Sequence, residues 1–278
     1  MTPGTPLRVA AAQAESVSGD VPANVTTAVS LVESATKGAA EVVVLPELFL
    51  TGYDPASWGR SAESEVTVDD ARLKPLRDAA RECSAVVVAG AAVRRGAEPR
   101  GRETVSLLAF DLAGDVSAPY DKQHLFDAER GFFDAGCHGA SIVVDGWELG
   151  LGICYDGCFP EHAAAAAAEG AMAYLCPSAY YRGSEHRRDL YYAARALDNG
   201  IYVVFSGLTG RCGHYDFNGG SAIYDPEGQP VDRVADESPA IAFADLDPEE
   251  VRRAQKINPI GRDRLADLGT RRRQELSP

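Results

Sequence analysis

The run Glu41-Val-Val-Val-Leu-Pro-Glu47 constrains the fold more than any other stretch of the chain. Three valines and a leucine follow one another without the polar alternation of a half-exposed strand. Such a run suits a strand covered on both faces, so the chain must supply a layer on each side of it. The run ends at Pro46-Glu47, ahead of a turn at Thr51-Gly52-Tyr53-Asp54-Pro55. That leaves a carboxylate at the end of a central strand, where it either faces a site or is simply solvated.

The covering layers are legible on either side. Leu7 to Gln13 reads as a first strand, and Val21 to Thr36 carries apolar residues at helical spacing. Val68 to Cys83 reads as a second helix. Ala85 to Arg95 and Thr104 to Leu112 read as strands joined by a loop rich in Gly, Pro, Arg and Glu. A hairpin turn at Asp111 to Asp115 leads to a strand through Tyr120. The segment Tyr120 to Gly136 mixes charges and aromatics with neither helix nor strand period, as site loops often do. Further strands are expected at Ser141 to Val144, Glu148 to Cys154, Ala173 to Ser178, Ile201 to Ser206, Gly220 to Tyr224, Pro230 to Val234 and Ala240 to Leu246. Glu185 to Asn199 is a helix ended by Gly200, and Pro248 to Gln255 another. The expectation is one α/β domain over residues 1–278, with its core at about 7–250 and a charged tail from about 251.

A second stretch bears on chemistry. In Glu148-Leu-Gly-Leu-Gly-Ile-Cys-Tyr-Asp-Gly-Cys-Phe-Pro-Glu161 an apolar run delivers Cys154 to a turn, and Pro160 opens an alanine-rich helix. Free N–H groups at a helix start favour a thiolate and suit an oxyanion. The same pattern also fits a buried structural cysteine.

Composition narrows the class. The formal net charge of −14 disfavours nucleic acid or an anionic membrane as a partner. No apolar run reaches the ~18–20 residues of a membrane span, and Met1-Thr-Pro-Gly-Thr-Pro6 lacks the basic and apolar regions of a signal peptide. Six irregularly spaced cysteines read as free thiols of a reduced, cytoplasmic protein. Cys154 and Cys158 have no second pair at zinc-site spacing.

Three chemistry-bearing residues thus stand at strand ends or in an irregular loop: Glu47, Lys122 and Cys154. Their setting resembles the nitrilase, or carbon–nitrogen hydrolase, superfamily. The matching segments are Leu45-Pro-Glu47 with Gly52-Tyr53, Tyr120-Asp-Lys-Gln-His-Leu-Phe126, Gly152-Ile-Cys-Tyr-Asp156 with Phe159-Pro-Glu161, Cys176-Pro-Ser178, Ala194-Arg-Ala-Leu-Asp-Asn199 and Gly220 to Gly228. The resemblance implies an α-β-β-α sandwich that commonly pairs into homodimers, with no metal and no organic cofactor. It implies Cys154 as nucleophile, Glu47 as general base, Lys122 as oxyanion stabiliser and the Tyr155 N–H as second oxyanion donor. It further suggests Glu129 as a substrate-orienting glutamate, with Tyr53, Ser178 and Arg182 lining the substrate pocket. His124 and Glu161 read as supporting residues. Ser206 stands where asparagine is frequent in the family, which is expected to reshape the pocket wall.

The chemistry is coherent without the family. A free thiol has a pKa of ~8.5 and needs a base or cation nearby; a carboxylate and a compact ammonium supply both. Cys154-Tyr-Asp resembles amidase-like branches, whereas nitrilases proper tend to carry Trp-Glu there. The expected substrate is therefore a small amide, with an N-carbamoyl compound as the alternative and a catalytically inactive scaffold as the contrasting class. Arg182, Arg187 or Arg188 could hold a substrate carboxylate, as an ω-amide would present; surface arginines on a helix are the ordinary alternative.

Overall fold

The valine run becomes β2 (Val42–Val44), every residue of it fully buried, in a computed structural model that describes residues 3–59, 64–95, 102–265 and 267–276. Beside it lie β1 (Leu7–Gln13) and β3 (Val86–Arg95), both parallel to β2. β4 (Arg102–Phe110) and β5 (Val116–Asp121) continue the sheet antiparallel, and β14 (Ala240–Leu246) closes its other edge. The order is β14-β1-β2-β3-β4-β5.

A second sheet repeats this plan. β7 (Trp147–Leu151), β8 (Ala173–Leu175) and β9 (Tyr202–Phe205) are its parallel centre. β6 (Ser141–Val144) flanks one side, with β12 (Ala222–Tyr224) and β13 (Pro230–Arg233) on the other, all antiparallel. Between the parallel strands run α1 (Val21–Lys37) and α2 (Lys74–Glu82) in the first half, α3 (Pro160–Ala168) and α4 (Glu185–Asn199) in the second. β9 shows why both faces need cover. Val204 joins the core shared by the two sheets, while Val203 and Phe205 join a second cluster with Tyr192 of α4 and Ala163 of α3. Successive strand residues point to opposite faces, so the layers stack as helices, sheet, sheet, helices. This is the α-β-β-α sandwich.

Local chemistry explains the helix ends. The Asp20 side chain accepts from Ala23 N–H at 3.0 Å to cap α1, whose Val25, Ala28, Val32 and Ala35 face the core. Gly200, at φ 59°, ends α4 in a left-handed cap. The helix expected from Val68 starts only at Lys74. Asp70 accepts from Arg72 N–H and holds a 3-10 turn at Ala71–Leu73 first, and Pro75 lies in the first turn of α2. The β3–β4 loop expected from composition falls mostly at 96–101, outside the described residues.

One hairpin was not legible: β10 (Thr209–Cys212) and β11 (Tyr215–Asn218), joined through Gly213 at φ 57°. Beyond the sandwich, α5 (Pro248–Ile257) and the short α6 (Ile260–Asp263) lead to an exposed tail that includes Arg271 to Arg273. Among the described residues no helix is long and apolar enough to cross a membrane.

Candidate active site

Ligands of open α/β sheets gather at the carboxyl ends of parallel strands, and the candidate residues emerge there. Glu47 follows β2 in a tight loop in which Leu48 adopts φ 51°. That loop packs against β3 at Gly90. A Cβ there would lie 2.5 Å from both Leu48 N and Pro46 O, so only glycine fits. Lys122 follows β5, its N–H bonded to Val105 O at 2.8 Å.

The three side chains Glu47, Lys122 and Glu129 are fully buried and meet at one ammonium. Lys122 Nζ donates to Glu47 Oε1 at 2.6 Å and to Glu129 Oε1 and Oε2 at 2.7 and 2.8 Å. Glu129 also accepts from Tyr53 Oη at 2.8 Å and from Phe126 N–H at 2.9 Å. Two carboxylates on one cation leave the cluster with a surplus negative charge when both are ionised. Burial raises the Glu47 pKa most; Lys122 opposes this and Glu129 adds to it, leaving it at about 7. Burial alone would depress Lys122, but Glu47 and Glu129 outweigh it and hold the ammonium well above its ordinary range. Glu47 Oε2 is buried without a hydrogen-bond partner among the described residues.

Cys154 opens a 3-10 turn, Cys154–Cys158, at a strained φ of 46°. β7 ends at Leu151 rather than at the cysteine. Gly152 lies against Tyr174, whose hydroxyl oxygen would sit 1.8 Å from an added Cβ. The Cys154 N–H bonds Pro177 O at 3.0 Å, and Tyr192 Oη donates to Cys154 O at 3.1 Å. Sγ makes a long contact, 3.9 Å, with Ala179 O. Of the two readings of the cysteine, burial dominates over the helix start. Burial, and next the charge of Glu47, push the Cys154 thiol well above its ordinary pKa. The five-residue turn is too short to offset them, and its first N–H is spent on Pro177. Burial and Glu47 thus both favour the thiol over the thiolate. The Tyr155 N–H lies in the first turn, where helical N–H groups have no intrahelical acceptor.

Cys154 lines a cleft of about 180 Å³ together with Tyr53, Phe126, Tyr155, Tyr180 and Arg187. This is smaller than the ~300–1,000 Å³ of sites for drug-sized ligands. The unforeseen β10–β11 hairpin packs behind it, with Phe217 5.5 Å from the Tyr53 ring and Arg182 N–H bonded to Asp216 O. A two-residue Gly213-His214 loop was its only sequence signal.

Other expected contacts are placed differently. Ser178 is absent from the cleft lining; its hydroxyl donates to Cys176 O at 2.9 Å and lies 2.8 Å from Tyr192 Oη. It is therefore a support behind the turn rather than a substrate contact. Arg182 reaches the cleft rim but pairs with Glu237. Arg188 is buried, donating to Asn218 Oδ1 and to the Asn218 and Gly219 carbonyls, which removes it as a carboxylate clamp. Arg187 lines the cleft and makes no ion pair among the described residues. Ser206 does not shape the cleft: its hydroxyl donates to Ala12 O at 2.5 Å, a tie between the two sheets. Glu161 is exposed in the first turn of α3.

The sequence also did not single out the carboxylate of Asp156. It is bonded to His124, and His162 adds a third potential metal-ligand atom, all within 4.8 Å of one another. Hydrogen bonds already occupy these atoms: Tyr120 Oη lies 2.7 Å from Asp156 Oδ2 and 2.8 Å from His162 Nε2.

Comparison with known proteins agrees with this architecture. A family model described as "Carbon-nitrogen hydrolase" matches residues 8–256. The deaminated glutathione amidase of Escherichia coli O157:H7 is 34% identical over 83% of this chain and 87% of its own length. Human omega-amidase NIT2 is 28% identical over 88% of this chain and 90% of its own. An amidase from Nesterenkonia sp. AN1 superposes with a TM-score of 0.80 at 29% identity, covering 94% of this chain and 97% of that one. The chain belongs to the carbon–nitrogen hydrolase family, as an amidohydrolase acting on carbon–nitrogen bonds other than peptide bonds.

Proposed function

We propose that the protein hydrolyses a small linear amide through a thioester on Cys154. The observation that carries this reading is the Lys122 ammonium bridging Glu47 and Glu129 beside a cleft lined by Cys154. Glu47 Oε2 takes the thiol proton as Sγ attacks the amide carbon. The tetrahedral oxyanion is held by the Tyr155 N–H and by Lys122, which frees a donor by relaxing one of its two Glu129 contacts. Collapse expels ammonia with the proton carried by Glu47, leaving the acyl group on sulfur. Glu47 then takes a proton from water as it attacks the thioester; the acid leaves and the thiol is restored. The nucleophile role also finds support in a solved structure of the Nesterenkonia amidase, in which acrylamide has added to the active-site cysteine.

Glu129 is assigned a positioning role, with both its oxygens held by Lys122, Tyr53 and Phe126. The substrate is small, and its far end carries a carboxylate that meets Arg187, the cleft arginine outside the Glu237 pair. We further assign a homodimer to the exposed Leu190, Leu197 and Ile257 of α4 and α5, to be read by sedimentation.

Ammonia release from ω-amides bearing a carboxylate, aliphatic amides, N-carbamoyl compounds and nitriles tests the function, with Cys154→Ala alongside. Cysteine-dependent release is expected and fastest with the ω-amides. Preference for N-carbamoyl compounds would replace the substrate assignment. Silence across the panel from folded protein would leave the inactive scaffold.

A further inference from the structure

We propose that Asp156 is a positioning residue that locks the Lys122 segment and the Cys154 turn into one rigid unit. The inference rests on the roles proposed above for Lys122 and Cys154.

The sequence places the partners symmetrically. Tyr120 and His124 stand two residues before and two residues after Lys122; Ile153 precedes Cys154, and Asp156 follows it by two. Tyr120, His124 and Ile153 all meet at the fully buried Asp156 carboxylate. Asp156 Oδ1 accepts from the His124 N–H at 2.9 Å and lies 2.8 Å from His124 Nδ1. Oδ2 accepts from Tyr120 Oη at 2.7 Å and from the Ile153 N–H at 3.0 Å. Lys122 lies just past β5 and Cys154 just past β7, and these strands belong to different sheets, so no β-ladder ties the two segments to each other. This carboxylate bonds them directly.

The anchoring continues beneath the turn. Tyr120 Oη lies 2.8 Å from His162 Nε2, and His162 Nδ1 lies 2.9 Å from Tyr174 Oη. Tyr174 belongs to β8 and fills the space left by Gly152, so the chain of contacts ends on the second sheet. His124 is further held flat on Phe159, with ring centroids 3.9 Å apart. The arrangement demands a carboxylate. Four donors converge on two oxygens, and an asparagine would turn an NH₂ group toward two of them. Hydrogen bonds from His124 and Tyr120 keep the Asp156 pKa below its ordinary value despite burial. The acceptor therefore stays ionised while Glu47 titrates.

The consequence is geometric. The oxyanion needs Lys122 and the Tyr155 N–H at fixed distances from Sγ, and a misplacement of ~1 Å costs about a hundredfold in rate.

The test uses Tyr120→Phe, Asp156→Asn and the double variant in the full chain. Tyr120→Phe keeps the ring and removes one bond. The readouts are kcat and KM on the best amide, and the rate at which iodoacetamide labels Cys154, followed by peptide mass mapping that separates Cys154 from Cys158. The expected result is a fall in kcat of about tenfold for Tyr120→Phe and about a hundredfold for Asp156→Asn, with KM within about twofold. Labelling slows in the same order, and the double variant is no slower than Asp156→Asn alone. Folded Tyr120→Phe with unchanged kcat and labelling overturns the inference, as do fully additive effects of the two changes. If Asp156→Asn does not fold, Tyr120→Phe decides alone. If no amide is turned over by the unaltered protein, labelling still reads the positioning, so failure of the hydrolase reading is distinguishable from failure of this one.

Discussion

Replacing Glu129 by glutamine should move the acid limb of the pH–rate profile downward. Glu47 and Glu129 share the Lys122 ammonium at 2.6 and 2.7 Å, so their nearest oxygens lie no more than about 5.3 Å apart. Two like charges at that distance interact by about 3 kcal/mol at an effective dielectric near 20, or ~2 pKa units. Removing the Glu129 charge relieves that repulsion and leaves Lys122 attending Glu47 alone; both effects favour the Glu47 carboxylate. In the proposed mechanism Glu47 is a base only when ionised, so activity of the unaltered protein should be lost as pH falls through about 7. In Glu129→Gln the loss should come about one to two units lower. The glutamine NH₂ must also face a donor, Phe126 N–H or Tyr53 Oη, which destabilises the fold by about 1–3 kcal/mol. The assay is kcat/KM against pH, which reports the free enzyme, on protein shown to be folded by near-ultraviolet dichroism. An inflection that stays at about 7 or rises would refute the reasoning.

Other expected outcomes are as concrete. Lys122→Met abolishes turnover and leaves two buried carboxylates without a counter-charge, at a cost of about 3–5 kcal/mol. Glu47, already raised by burial, loses the opposing Lys122 charge and stays above its unfolded value, so the loss should be large at pH 8 and shrink toward pH 5, as read by urea denaturation. Gly90→Ala drives a Cβ into the Glu47 loop, so kcat should fall at least about tenfold and stability by about 1–3 kcal/mol in thermal melts. Arg187→Ala should raise KM about 10–100-fold for carboxylate-bearing amides and leave neutral amides unaffected, as steady-state kinetics would show.

The layers were legible because their signals are local. The unbroken valines of β2, the helical spacing of α1 and the Gly200 stop of α4 each state their own conformation. Glu47, Lys122 and Cys154 were legible because they fall in recognisable segments. The β10–β11 hairpin was not, since its polar residues owe their strand conformation to pairing with each other and to aromatic contacts around Tyr53. The state of the thiol was left open for a similar reason. Its pKa is set by burial and by Glu47, 107 positions away in sequence, more than by its own turn. Arg182, Arg187 and Arg188 look alike in sequence; only tertiary partners separate an ion-paired rim residue, a cleft residue and a buried strut.

The most direct test of the central claim is the intact mass of enzyme acid-quenched during turnover of its best amide. The account predicts a fraction heavier by the acyl group, mapped to Cys154 and missing from Cys154→Ala, which releases no ammonia. Ammonia release that survives in Cys154→Ala, or turnover with the added mass on another residue, would contradict it.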